Sequence, residues 1–361
     1  MNAISSPQPA VRIRELDGLR GLAALSVVFF HFTLRYGQLF GAPDGLWFDF
    51  PRGDYGVQLF FMISGFVIFM TLDRTRTATD FVVARFARLY PAYWAAMLLT
   101  FTVVSLFGLP GQEVGLRDFV VNLTMVQSLL HVPHVDGAYW SLQAEILFYA
   151  AMLSLWRFGW LSNAIRTLSM WLALAVAVQL AAWWLPERLA GALGPVLTLG
   201  SLRFIHLFII GMALYQQRGV VAIDPGWLLL VVACWFWHAL VDAPAGASLV
   251  AAFTVVMYLA TAGQLPWLAS RPLAYLGGIS YTLYLVHQNV GYVIIRTLNR
   301  WGLNANVSLL LAVGCVVGLA IALSRFMERP ALAIIKSRYA AWQAAPRRPL
   351  RLPKRRRSVG C

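Results

Sequence analysis

An all-α, multi-pass membrane bundle of about ten helices is the fold class that this sequence predicts, from its apolar composition, its segment lengths and the sorting of its basic residues. Hydrophobic residues make up 60% of the 361 and charged ones 12%, with a mean hydropathy of +0.67. So apolar a chain of this size cannot bury itself in a water-soluble globule. Its apolar residues gather into runs of about 17 to 25, the length that crosses a bilayer. They fall near 17–37, 55–72, 86–107, 139–157, 166–185, 200–217, 226–241, 246–263, 273–297 and 306–326. Arg and Lys then orient the bundle, because cytoplasmic loops collect them. With the N-terminus inside, the inner segments hold Arg12, Arg14, Arg74, Arg76, Arg85, Arg88, Arg157, Arg166, Arg218, Arg271 and the basic C-terminal tail. An even number of crossings puts both termini in the cytoplasm.

The first run, RELDGLRGLAALSVVFFHFTLR, carries Arg20 and His31 eleven residues apart. That spacing is three helical revolutions plus about 20°, so both leave one face, about 16 Å apart along the axis. Ionisable residues at membrane depth are costly and mark function. The plainer reading makes Arg20 a positive-inside anchor and lets His31 bond a backbone carbonyl. The run is too long for a signal peptide and has no small-residue cleavage site.

The second run holds Ser64 within FFMISGF, near mid-depth, and the third opens on Arg85 and Arg88, one turn apart. These arginines suit either topology anchoring or anion binding. Between the third and fourth runs, the stretch FVVNLTMVQSLL in the long loop 108–138 is apolar yet too short to span, which predicts an interfacial or re-entrant cover. The fourth run descends from Tyr139 and places Glu145 about 9 Å below the outer surface. Arg203 and His206 lie near the outer end of the sixth, and Asp242 follows the seventh. The ninth rises from about Leu273 and carries His287 about 20 Å up, at a depth shared with His31 and Glu145. The tenth closes the bundle before the basic tail.

Three cysteines, Cys234, Cys315 and Cys361, are too scattered for a metal or disulfide framework, and the first two read as buried, inert thiols. The net charge of +14 reflects the inner loops and the tail RRPLRLPKRRR, which predicts attraction to anionic lipid and no nucleic-acid partner. Motifs of serine hydrolases, zincins, dinucleotide enzymes and P-loop NTPases are absent. Chemistry must then come from groups gathered across helices. The sites are polarised, with guanidinium groups at the cytoplasmic mouth suited to phosphate and His, Glu and Ser near the middle suited to proton transfer.

Seven stretches, RELDGLRGLAALSVVFFHF, VQLFFMISGFVI, ARFARLYPAYW, AYWSLQAEILFY, FIIGMALY, LGGISYTLYLVH and FMERPAL, occur in the order seen in the acyltransferase-3 family, and the chain resembles that family over residues 14–332. The resemblance implies a bacterial inner-membrane O-acyltransferase. It would move a short acyl group, acetyl foremost, from acyl-CoA to a hydroxyl of a cell-envelope or secreted glycan or glycolipid. Residue by residue, it implies donor binding at Arg20, Arg85 and Arg88. His31 becomes the base, with Glu145 orienting it or stabilising the imidazolium, and Ser64, Trp140, Ser141, Tyr281 and His287 shape the site. Transfer could be direct or pass through a protein-bound acyl group, and neither scheme needs a metal. His131, His134 and Asp136 of the long loop, with Arg203, His206 and Asp242, are weaker acceptor-site candidates. The domain expectation is a cytoplasmic segment 1–16, the acyltransferase domain 17–332 and a basic cytoplasmic tail 333–361. Intramembrane His, Glu and Arg also suit a secondary transporter, though no inverted repeat is visible. A non-catalytic scaffold of an envelope complex is a further reading.

Overall fold

The computed structural model describes residues 13–41, 45–186, 202–220, 222–242 and 244–345, together with 191, 193, 194 and 196. Arg12, Arg188, Cys361 and the tail sequence RRPLRLPKRRR lie outside the described residues. Within them the chain is helical with no strand. In order the helices are α1 (Arg14–Phe30), α2 (Tyr36–Phe40), α3 (Gly56–Leu72), α4 (Ala78–Phe107), α5 (Leu116–Asn122), α6 (Trp140–Arg157), α7 (Ala164–Trp184), α8 (Ile205–Gln216), α9 (Pro225–Val241), α10 (Pro244–Thr261), α11 (Arg271–Val286), α12 (Gln288–Arg300), α13 (Ala305–Leu323) and α14 (Arg329–Ala344). A helix therefore covers most of each of the ten expected runs. By length and composition, six helical stretches among the described residues can cross a membrane, while α8 and α9 are apolar but shorter.

Two helices are longer than the apolar runs suggest. The third run begins at Ala78, eight residues early, because Thr77 and Asp80 form a capping box: the Thr77 hydroxyl accepts from Asp80 N at 3.2 Å, and Asp80 accepts from Thr77 N at 3.0 Å. Arg85 and Arg88 consequently sit inside α4 and not at its start. The last run continues through the π-helical turn Ser324–Glu328 into α14, and Pro330, which has no N–H to give the preceding turn, stands just past that π-helical turn. Residues 333–344 of the expected tail are thus helical, and Asp80 ties them to α4 by accepting from Tyr339 and Gln343 at 2.8 and 2.7 Å.

Glycines set the packing. A Cβ on Gly21 would stand 2.9 Å from the Gly277 amide nitrogen, and one on Gly277 would strike the Asp17 carbonyl. The backbones of α1 and α11 touch there, and no larger residue fits. Ten residues farther along each chain, His31 meets His287, so the two helices run side by side in one direction. Likewise Phe61 packs on Phe208 and Phe66 on Tyr215, which makes α3 and α8 parallel across the Gly65–Phe208 and Gly211–Met62 contacts. Alternating crossings require the same relations between runs one and nine and between runs two and six.

Outer faces carry exposed Leu106, Leu229, Phe236 and Leu310, apolar surface that in water would be a liability and in lipid is solvated. Cys234 is buried as expected, whereas Cys315 is exposed on α13, since its helix presents that face outward. The loop stretch forms α5 and a 3-10 turn, Gln127–Leu130. Asn122 anchors it, donating to Asp118 O and Pro133 O at 2.8 and 2.9 Å and accepting from Val135 N at 3.1 Å.

Candidate active site

The two histidines of α1 and α11 define the outer half of the site. His31 opens a π-helical turn, His31–Arg35, of the kind that recurs at functional positions. Its Nδ1 lies 2.9 Å from Val27 O and 3.2 Å from Nε2 of the fully buried His287. Nδ1 of His287 is in turn 2.7 Å from Tyr284 O. A carbonyl only accepts, so His287 carries its proton on Nδ1 and offers Nε2 as an acceptor. His31 Nδ1 then faces two acceptors and must hold the proton, which leaves the lone pair of the neutral ring on Nε2. The ring lines a chamber of about 340 Å³ with Asp54, Gln58, Trp140, Tyr284 and Gln288.

Glu145 stands apart from this pair. It accepts from Ser64 Oγ at 2.5 Å and from Tyr149 OH. With Arg20, Ser64, Tyr281 and Tyr284 it encloses a narrow cavity of about 40 Å³, which shares Val57, Phe61 and Tyr284 with the His31 chamber. Ser141 hydrogen-bonds Tyr284 OH at 2.6 Å and Ala138 O at 3.1 Å, fixing the wall between the two. Trp140 is 40% exposed, and its ring packs edge-on to Phe61.

The three arginines converge beyond this constriction. Arg85 lies over Tyr149 at 5.9 Å and Arg88 over Tyr281 at 5.6 Å, and Arg20 and Arg85 both act electrostatically on Arg88. The Tyr281 hydroxyl donates to Leu89 O at 2.9 Å, so its ring is a fixed platform for the guanidinium. Arg88 pairs with Glu328, which is 2% exposed. Nε of Arg20 and Nε of Arg85 are buried without hydrogen-bond partners among the described residues. Unpaired buried donors are costly, and only an acceptor would satisfy these two.

The weaker candidates divide. His131 is exposed, in a left-handed turn with φ 55°. His134 is held between Gln127 and Ser128 at 2.5 and 2.8 Å, and burial lowers it to about 4. Asp136 is fully buried and accepts from Ala138 N at 2.9 Å and Asn289 N at 3.0 Å. These bonds staple the outer loop to the α11–α12 junction where His287 sits, and burial raises its carboxyl to about 7. Arg203, His206 and Asp242 border a separate, larger cavity. Sequence reasoning missed Glu328, Tyr149, Tyr284 and Gln288. Of these only Glu328 left a visible signal, a carboxylate beside an apolar run within FMERPAL.

A family model described as "Acyltransferase domain" matches residues 13–325. The chain is 29% identical over 328 residues to "Acyltransferase MdmB" of Streptomyces mycarofaciens, covering 80% of this chain and 81% of that protein. It is 28% identical over 319 residues to "Nodulation protein 10" of Rhizobium leguminosarum bv. viciae, covering 77% and 83%. A shorter match, 31% over 122 residues, joins 31% of this chain to 37% of "Exopolysaccharide production protein ExoZ" of Rhizobium meliloti. No solved structure matches.

Proposed function

The chain belongs to the acyltransferase-3 family, and from that premise we propose that it moves a short acyl group from acyl-CoA to a hydroxyl of an envelope or secreted glycan. One observation carries the reading: Arg20, which like Arg85 has a buried Nε without a partner among the described residues, lines the narrow Ser64–Glu145 cavity that shares Val57, Phe61 and Tyr284 with the His31 chamber. In this reading the phosphates of the donor rest on Arg20, Arg85 and Arg88, where guanidinium groups give paired, charge-assisted hydrogen bonds. The pantetheine arm brings the thioester, acetyl foremost, toward Ser64 and His31. Nε2 of His31 takes the proton of the acceptor hydroxyl as its oxygen attacks the thioester carbonyl. The carbon–sulfur bond breaks, and the CoA thiolate leaves, taking up the proton that Nε2 of His31 gives back.

His287 takes over the orienting part that sequence reasoning gave to Glu145. Its Nε2 accepts from His31 Nδ1, holds the reactive tautomer and steadies the imidazolium. Glu145, bound to Ser64 and Tyr149, instead sets the constriction and balances the arginines. The reading takes ten crossings, both termini in the cytoplasm, an inner-membrane location and anionic lipid against the basic tail.

The test is acyl transfer by the purified chain in lipid nanodiscs, with radiolabelled acetyl-CoA and a glycan extract from cells lacking the chain. The wild type should label glycan. His31→Ala should abolish labelling while binding acetyl-CoA as the wild type does; transfer that survives this substitution refutes the assignment.

A further inference from the structure

Beyond the His31 chamber lies a cavity of about 860 Å³ bordered by α6, α7, α8 and α9. It shares Gln58, Trp140 and Phe204 with that chamber. Its far wall is a row of polar groups, joined by two hydrogen bonds and one ion-pair contact, that the transfer chemistry does not use. Tyr55 OH donates to Oδ2 of Asp242 at 2.7 Å. Nε2 of His238 stands 3.3 Å from the same oxygen, at ion-pair distance though off line for a hydrogen bond. Nδ1 of His238 is 2.9 Å from Nε2 of His206. The two imidazoles are 4% and 2% exposed.

The carboxylate fixes the protons along this chain. His238 keeps its hydrogen on Nε2, toward Asp242, so its Nδ1 accepts from Nε2–H of His206. Nδ1 of His206 is then a lone pair, and it has no partner among the described residues. A buried acceptor left open at the wall of a large cavity is a place where a ligand donor belongs.

We propose that this cavity seats the acceptor, that it takes a glycosyl unit, and that His206 accepts from one of its hydroxyls, aligned by His238 and Asp242. The inference rests on the transfer reading above. Its lining argues for that ligand. Trp183, 51% exposed, stacks on the buried Trp237 at 6.0 Å and 28°, giving a flat apolar face for the carbon side of a sugar ring. Gln179 supplies an amide that both donates and accepts, and Gln143, whose oxygen already accepts from Ser128 N at 2.9 Å, adds its NH2 group, which suits a ring of hydroxyls. An aliphatic ligand would leave the Gln179 amide and Nδ1 of His206 unpaired, at a cost in binding. Asp242, the one carboxylate in the wall among the described residues, is already engaged by Tyr55 and His238. Bound here, the unit borders Gln58 and Trp140, and so adjoins the base.

The nanodisc assay with acetyl-CoA and the glycan extract of the deletion strain tests this. His206→Ala and Asp242→Asn should raise the KM for glycan about tenfold while the KM for acetyl-CoA stays within about twofold. Gln179→Ala, a milder change at a partly exposed position, should raise the glycan KM about threefold and keeps the test alive should the histidine variant misfold. Variants whose glycan KM matches the wild type overturn this proposal alone, as does a fall in kcat with KM unchanged. A wild-type chain that labels no glycan overturns the transfer reading and this inference with it.

Discussion

His31 and His287 stand edge to face, with ring centroids 4.8 Å apart and Nδ1 of the first 3.2 Å from Nε2 of the second. Each ring is also tied to a carbonyl of its own helix, His31 to Val27 and His287 to Tyr284. Only one arrangement of protons satisfies all four groups. It presents the free nitrogen of His31 to the chamber.

Replacing His287 should therefore act on the chemical step. His287→Phe is expected to lower kcat about a hundredfold with the KM for acetyl-CoA unchanged, the size of effect that orienting a general base commands. His287→Gln, whose amide oxygen can still accept from Nδ1 of His31, should recover part of the loss. Equal kcat values for the two variants would count against the tautomer assignment.

Arg88 and Glu328 give a double-substitution test. Arg88→Ala strands a carboxylate that is 2% exposed, and unpairing a buried charge costs about 3 to 5 kcal/mol. Thermal stability and acetyl-CoA affinity should both fall. Adding Glu328→Gln should restore stability but not affinity, because the guanidinium for the phosphates is still missing. Affinity that returns with stability would make the arginine structural only.

The contact between α1 and α11 leaves no room for a methyl group. Gly21→Ala or Gly277→Ala must push backbones apart, at a cost of about 1 to 3 kcal/mol. Acyl transfer should drop further than acetyl-CoA binding, since the separated helices carry His31 and His287. Crosslinking between cysteines introduced at exposed positions of α1 and α11 reports the displacement, and full activity with unchanged crosslinking would refute the close approach.

Asp136 gives stability a pH dependence. Its carboxyl lies near 3.8 when free and is raised to about 7 by burial in the fold. A raised acid stabilises the fold fully below the free value and loses that contribution as pH climbs through the folded one. Its share of the stability should accordingly fall between about pH 4 and pH 7, opposed up to pH 6.5 by His134, whose lowered value adds stability as pH rises, so the wild type is read against Asp136→Asn. Asp136→Asn should be less stable throughout and without that fall over the window. An unchanged slope would show that another group titrates there.

Helix positions were legible in the sequence because membrane helices advertise themselves as long apolar runs. The starts were less so: the Thr77–Asp80 cap lies outside the apolar run and acts through hydrogen bonds. Arg20, Arg85, Arg88, His31 and Glu145 stood out as ionisable groups at membrane depth. Their partners did not, since Glu145 meets Ser64 and Tyr149 while His31 meets His287 across 256 residues of chain. That pairing depends on where two glycines let helices touch, and periodicity within one helix carries no such information. Glu328 was passed over as part of a motif although its charge in an apolar setting deserved a partner.

The Gly21–Gly277 contact also acts as a fulcrum. Both histidines ride at the ends of arms ten residues long, about 15 Å from that pivot. A change of about 4° in the angle between the arms would move the two rings about 1 Å relative to each other, a displacement that can cost a hundredfold in rate. Helix tilt answers to bilayer thickness, so the hydrocarbon width around this protein becomes a setting on its catalytic geometry.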